Sequence, residues 1–253
     1  MIFQIQKLIL ILTRITTFIV TTPGYSYRGI PNVLKVALSG VISIFVYMAT
    51  PEIAIEGGML GFSLLLIREA IFGLALGFVG QMVFSSVEMA GKLMDFQVGF
   101  AMGAVYDPAM GAQASNYGRT YYWLAVAIFF LLDMHSLLME TIINSFNLIP
   151  LGTMNIQGFG AEAVLRVFSR VFELGINLAA PMIITVLVTD VVLGIISRTV
   201  PQINVFMLGM PMKSMVSFFV FMISVGWIMN TAGGLVGTMP GFIEGFMELF
   251  AAP

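Results

Sequence analysis

From Met59 to Gln97 the chain runs thirty-nine residues without a proline and with only five charged side chains. As one α-helix this stretch would reach about 58 Å at about 1.5 Å per residue. A bilayer's hydrocarbon core is about 30 Å thick, and about 20 apolar residues cross it. A helix of this length is therefore predicted to kink, to break, or to protrude from a membrane. Five further segments are apolar enough to be spans: roughly 3–20, 33–50, 121–148, 164–197 (with Pro181 inside) and 204–230. Turn residues separate them, in "TTPGYSYRGIPN", "TPEIAIEGG", "GFAMGAVYDPAMG", "IPLGTMNIQGFG" and "RTVPQ". The prediction is an all-α membrane protein with about six long hydrophobic helical segments, closed by a glycine-rich link and a short amphipathic helix after Asn230.

Composition narrows the function. The 253 residues are 59% hydrophobic and 9% charged, whereas a soluble domain is roughly 25% charged. A net charge of −2 gives no basic field for nucleic acid. Cysteine is absent and His135 is the single histidine, which excludes thiolate and His-rich metal sites. The first segment carries Arg14 and lacks the small-residue cleavage site of a signal peptide, so it reads as a retained helix. No phosphate-binding glycine loop and no nucleophile–base constellation is present, and neither an enzyme nor a cofactor is expected.

Basic residues flank alternate connections: Arg28 and Lys35, then Lys92 and Arg119, then Arg198 and Lys213. That alternation favours both termini outside; Lys7, Arg166 and Arg170 run against it. Charges inside apolar segments say more, because one at the bilayer centre costs about 2.5–3.5 kcal/mol even on a lenient scale. At helical spacing, Glu69, Gly73, Gly77, Gly80, Phe84, Glu88, Gly91 and Asp95 form one stripe, with Lys92 one turn beyond Glu88. Small residues at this spacing allow close helix packing, and the same stripe suits a polar pathway. Asp133 and His135 point to a helix end near water, and Asp190 to a bond with a neighbouring helix.

The run "REAIFGLALGFVGQMVFSSVEMAGKLMDFQVGFAMGAVYDPAMGAQAS", Arg68 to Ser115, carries Glu69, Gly73 and Gly77 in an even register. Ala90-Gly91, Asp95, Gln97-x-Gly99 and Asp107-Pro108 follow. Downstream stand "NSFNLIPLG" (Asn144–Gly152) and "RTVPQINVFMLGMPMK" (Arg198–Lys213), the latter with Pro201, Gln202, Asn204, Phe206, Pro211 and Lys213. In order and spacing these blocks resemble the FliR/SctT family, membrane subunits of bacterial type III export gates. "DPAMGAQAS" and "NSFNLIPLG" resemble its flagellar branch more than its injectisome branch. One departure stands at Asp133-Met134-His135, where family members often have Gly-His, so no role passes to His135.

The resemblance implies a non-catalytic subunit, without cofactor, of a channel that passes unfolded flagellar proteins across the inner membrane on the proton motive force. It implies a helical-spiral hetero-oligomer with FliP- and FliQ-like subunits, joined by FlhB- and FlhA-like components, at the flagellar basal body. Residues 1–155 would be FliP-like helices and 156–253 a FliQ-like hairpin and tail, with part of the core lifted toward the outside. It also implies that loop 99–116 is a channel plug. Phe100, Met102, Val105, Tyr106 and Met110 would give apolar bulk that excludes water. Gly99, Gly103 and Gly111 would give backbone freedom, and Asp107-Pro108 a turn. A packed connecting loop suits the same residues. A small-solute secondary transporter and a purely structural assembly subunit are the other readings; no internal repeat pairs the two halves.

Overall fold

The computed structural model describes residues 2–27, 29–51, 58–100, 115–154, 161–200, 202, 204–248 and 250. These residues form helices and turns, with no strand among them. The helices are α1 (Ile2–Thr21), α2 (Asn32–Ala49), α3 (Gly58–Val98), α4 (Asn116–Leu131), α5 (Met134–Leu148), α6 (Ala161–Thr199), α7 (Val205–Gly237) and α8 (Met239–Glu248). Five helical stretches are long and apolar enough to cross a membrane, and α4 with α5 makes a sixth if a bent pair counts as one span.

The chain forms two compact units, and neither follows chain order. The first takes Met1–Val83, Phe129–Phe168 and Gly237–Pro253. Its core is the buried face of α1 (Leu10, Ile11, Ile15, Phe18 and Ile19), with Phe72 and Leu76 of α3 and Leu138, Ile142 and Phe146 of α5. Apolar side chains recurring at three- and four-residue steps give α1 a continuous stripe to bury. α2 packs on α1, and α8 packs on α5. Phe250, just beyond α8, meets Phe72 edge-on at 5.7 Å.

The second unit takes Phe84–Ile128 and Ser169–Val236. Its core joins Val87, Ala90 and Met94 of α3, Tyr121 and Ala125 of α4, Leu178, Met182 and Val186 of α6, and Ile228 and Ala232 of α7. α6 continues through Pro181. Elsewhere α6 and α7 expose large apolar side chains such as Val191, Ile195, Met215, Phe218 and Ile223. Such faces suit lipid or other subunits rather than water.

One expectation is narrowed and two change. The 59–97 stretch is neither broken nor ended early: α3 is one uninterrupted helix of 41 residues, about 60 Å long. The 121–148 segment is two helices bent by 72°. Asp133 breaks it with a φ of 53°, a left-handed conformation that Asp tolerates better than most residues. Tyr25 braces the bend by donating to the His135 carbonyl at 3.1 Å; burial pushes its phenol up to about 12, so it stays a neutral donor. The glycine-rich stretch after Asn230 is helical to Gly237. Buried Ala232, Leu235 and Val236 offset the poor helix propensity of its glycines.

Candidate functional site

α1 carries two buried cations seven residues apart, and each ends a different helix. Lys7 donates to the carbonyls of Tyr47 at 3.0 Å and Thr50 at 2.7 Å. These are C-terminal carbonyls of α2 that no further turn can satisfy, and a cation there also meets the negative end of the helix dipole. Lys7 is thus an internal cap, which removes it from the loop charges that bear on orientation. Arg14, fully buried, donates to the carbonyls of Ser145 at 3.2 Å and Ile149 at 3.0 Å, at the end of α5.

Arg14 also pairs with Glu69 of α3 at 2.5 Å, and the two side chains are 0% and 1% exposed. The guanidinium lies over Phe72 and Phe146, 4.9 and 4.3 Å from their centroids. Its Nη2 has no acceptor among the described residues, and the ring faces take that place. The second oxygen of Glu69 accepts the Gly152 N–H at 3.1 Å. Gly152 sits at a φ of +79°, a region glycine occupies without strain. The stretch "NSFNLIPLG" therefore closes around one ion pair through Ser145, Phe146, Ile149 and Gly152.

In the second unit Asp95 is a junction of another kind, 3% exposed. Its main-chain carbonyl accepts the N–H of Gly99 at 3.1 Å and of Phe100 at 2.9 Å. Gly99 also donates to the Phe96 carbonyl at 3.2 Å, with a φ of +100°. This is a Schellman end to α3, for which glycine is the usual residue. The Asp95 carboxylate accepts from Ser115 Oγ at 2.6 Å and from the N–H groups of Tyr117 at 3.0 Å and Gly118 at 3.1 Å. Tyr117 and Gly118 open α4, where the first N–H groups lack partners inside the helix. A side chain of α3 thus does the capping that the residue just before a helix ordinarily does. Ser115 holds that position, and its hydroxyl serves Asp95 instead. Phe100 stacks on Tyr117 at 6.0 Å, and the Tyr117 hydroxyl donates to Ser217 Oγ of α7 at 3.0 Å.

The stripe glycines lie where helices touch. A Cβ on Gly73 would strike Thr17 and the Arg14 carbonyl, and one on Gly77 would strike Thr21. At Gly80 it would lie 3.3 Å from Met239 Sδ and from Pro23, and at Gly91 2.5 Å from the main chain of Tyr117 and Gly118. Their partners lie within this chain. Lys92 pairs with Glu88 at 2.6 Å near the surface. Lys213 of α7 pairs with Asp190 of α6 at 2.6 Å, the neighbouring-helix bond expected for Asp190. Asn204 stands just before α7, and its side chain accepts the Met207 N–H at 3.3 Å, as an N-cap does. Pro211 and Phe206 lie within the first turns of α7, and Gln202 is exposed before it. Pro201 lies outside the described residues, as do Met102, Gly103, Val105, Tyr106, Asp107, Pro108, Met110 and Gly111.

A cavity of 680 Å³ opens beside the junction, lined by Phe100, Asn116, Tyr117, Thr120, Met215, Phe218 and others. Among the described residues no cluster of acids and histidine could hold a metal ion. The arrangement shown is one of anchoring. Sequence reading missed three of its parts: the Arg14–Glu69 partnership, the Lys7 cap, and the position of Asp95 between two helix ends. Only the last had a signal, an acid placed shortly before one glycine and a Ser-Asn pair before a helix.

Comparison with known proteins places the chain. Residues 5–239 match the model of a family described as bacterial export proteins, family 1. The flagellar biosynthetic protein FliR of Bacillus subtilis is 31% identical over 227 residues, 87% of this chain and 86% of that one. FliR of Aquifex aeolicus is 27% identical, over 95% of this chain and 93% of its own. The secretion system apparatus protein SsaT of Salmonella typhimurium is 27% identical over 64% of this chain and 63% of its own. The match spans α1 to the start of α8, and the chain belongs to the bacterial export proteins, family 1, the family of FliR and its secretion-system counterparts.

Proposed function

We propose that this chain is a non-catalytic membrane subunit of a flagellar type III protein-export gate, through which unfolded proteins cross the inner membrane on the proton motive force. The observation that carries the reading is the family match over residues 5–239, nearly the whole chain. The flagellar branch is favoured because relatives named FliR match over more of the chain than SsaT does. Export components of the FliP, FliQ, FlhB and FlhA kinds are its proposed partners, at the flagellar basal body with part of the assembled core lifted outward. The exposed apolar faces of α6 and α7 suit such neighbours. Residues 1–155 are proposed as the FliP-like part and 156–253 as the FliQ-like hairpin and tail.

Within this reading the 99–116 loop seals the resting channel. Its residues supply apolar bulk, which gates a pore by keeping it dry, and both its ends are held at Asp95. Two measurements test the proposal. Native mass spectrometry of the tagged chain, co-expressed with FliP- and FliQ-like subunits, should give a defined hetero-complex with this chain in the minority. A lone species or homo-oligomer, with both neighbours expressed, removes the gate reading. In the assembled complex, deleting residues 102–111 should raise ion leak; unchanged conductance removes the plug.

A further inference from the structure

We infer that Asp95 is a clasp: one side chain and its own carbonyl hold both ends of the 101–114 segment together and so set where that segment starts and returns. The outgoing end is tied by the Gly99 and Phe100 N–H groups on the Asp95 carbonyl. The returning end is tied by Ser115, Tyr117 and Gly118 on its carboxylate, at 2.6–3.1 Å. The two ties, one on the carbonyl and one on the carboxylate, thus meet at a single residue. Asp95 is 3% exposed, and its carboxylate has no lysine or arginine partner among the described residues. Hydrogen bonds to the charged form and the positive end of α4 are what keep it there. Any movement that separates the end of α3 from the start of α4 must break these bonds together.

Capping alone would not require this arrangement. Ser115 stands at the position from which a side chain caps its own helix. An Asp at 115 would satisfy the same N–H groups without reaching α3. That separates the two roles by experiment. In Asp95→Ala with Ser115→Asp, α4 keeps a cap and the tie to α3 is lost.

The chain has no cysteine, so Phe96→Cys and Asn116→Cys, both at exposed positions on either side of the clasp, accept spin labels at unique sites. In the purified full-length chain the label-to-label distance should be narrow with Asp95 present. In the Asp95→Ala/Ser115→Asp chain it should lengthen and broaden while helix content and melting stay as in the parent. A parental distance in that variant overturns the clasp and leaves Asp95 a helix cap. Should that variant not fold, Asp95→Ala alone decides in its place, since it removes every side-chain acceptor at 95. A broadened distance supports the clasp and a parental one overturns it.

The link to sealing rests on the proposed plug and is read separately, as ion leak in the assembled complex. Asp95→Ala/Ser115→Asp should raise leak several-fold, toward the level of the 102–111 deletion. A parental leak, when the deletion does leak, overturns the link between clasp and seal. If the deletion itself does not leak, the plug is lost, and the label distance still decides the clasp.

Discussion

Glu69 and Asp95 are two carboxylates on the same helix, both buried, and they are neutralised in opposite ways. Glu69 faces a guanidinium at 2.5 Å, itself pinned between two rings and two carbonyls. Among the described residues Asp95 faces no cation, and its carboxylate accepts from one hydroxyl and two main-chain N–H groups. A buried charge demands a partner or a set of hydrogen bonds, and each solution has a different consequence. The ion pair binds α1, α3 and the end of α5 into one network, so disturbing it disturbs a whole unit. The Asp95 bonds engage local N–H groups that water or another side chain can satisfy. One carboxylate holds a core together; the other positions a junction.

The largest effect should therefore follow removal of one member of the ion pair. Glu69→Ala leaves Arg14 charged and without its counterion in an apolar site, which typically costs about 3–5 kcal/mol. Thermal unfolding in detergent should show a large drop in melting temperature or loss of folded yield. Arg14→Met combined with Glu69→Leu should recover much of that loss, because apolar replacement of a buried pair is often close to neutral. If the double variant stays as unstable as the single one, the carbonyls at the end of α5 need Arg14 itself. By the same measure Asp95→Ala should cost about 0.5–2 kcal/mol, the usual range for a lost helix cap. A cost equal to that of Glu69→Ala would erase the distinction between the two sites.

Glycines beside the two carboxylates give the next test. Gly91→Ala would put a Cβ 2.5 Å from the main chain of Tyr117 and Gly118, and main chain cannot turn aside as a side chain can. Overpacking of this kind costs about 1–3 kcal/mol. Gly77→Leu should do at least as much harm, because Thr21 already fills the space of a Cβ. Gly194→Ala is the control: nothing lies within 4 Å of a Cβ there, and replacing a mid-helix Gly by Ala should stabilise by roughly 0.5–1 kcal/mol. Melting temperatures of the three variants check the order. Harm from Gly194→Ala equal to that from Gly91→Ala would show that helix contacts are not what the stripe glycines provide.

Much of this frame was legible in the sequence. Apolar runs gave the helices because length and hydropathy are local properties. The stripe could be read because α3 is regular, and the Glu88–Lys92 pair because one helical turn fixes its spacing. What lay hidden was pairing across distance. Arg14 and Glu69 are 55 residues apart, and a lone arginine in an apolar helix does not name its partner. The break in the 121–148 segment was half legible: Asp133 and His135 pointed to a helix end, but "LLDMH" continues a helical pattern, and the left-handed turn at Asp133 that bends the segment has no sequence mark of its own. Gly99 was read as a source of backbone freedom, and the structure uses it to stop α3. The same φ > 0 tolerance serves either role, so glycine alone could not separate them.

The smallest effect returns to α1, where Lys7 repeats in milder form what Arg14 does. Both cations bind the terminal carbonyls of another helix, yet Lys7 has no acid partner among the described residues; its contacts are the Tyr47 and Thr50 carbonyls and the Tyr47 ring. Lys7→Met keeps the apolar length and removes only the charge and its donors, so no counterion is stranded. The loss should be about 0.3–1 kcal/mol, up to about 2 kcal/mol for a partly buried cation at a helix end. It should be confined to the last turn of α2. Amide exchange there, at the N–H groups bonded to the Val46 carbonyl and its neighbours, should quicken several-fold, while α5 exchanges at the parental rate. Equal quickening in α5 would mean that Lys7 and Arg14 belong to one cooperative network along α1. In that case the contrast between a binding ion pair and a merely capping charge would hold for the carboxylates of α3 and fail for the two cations of α1.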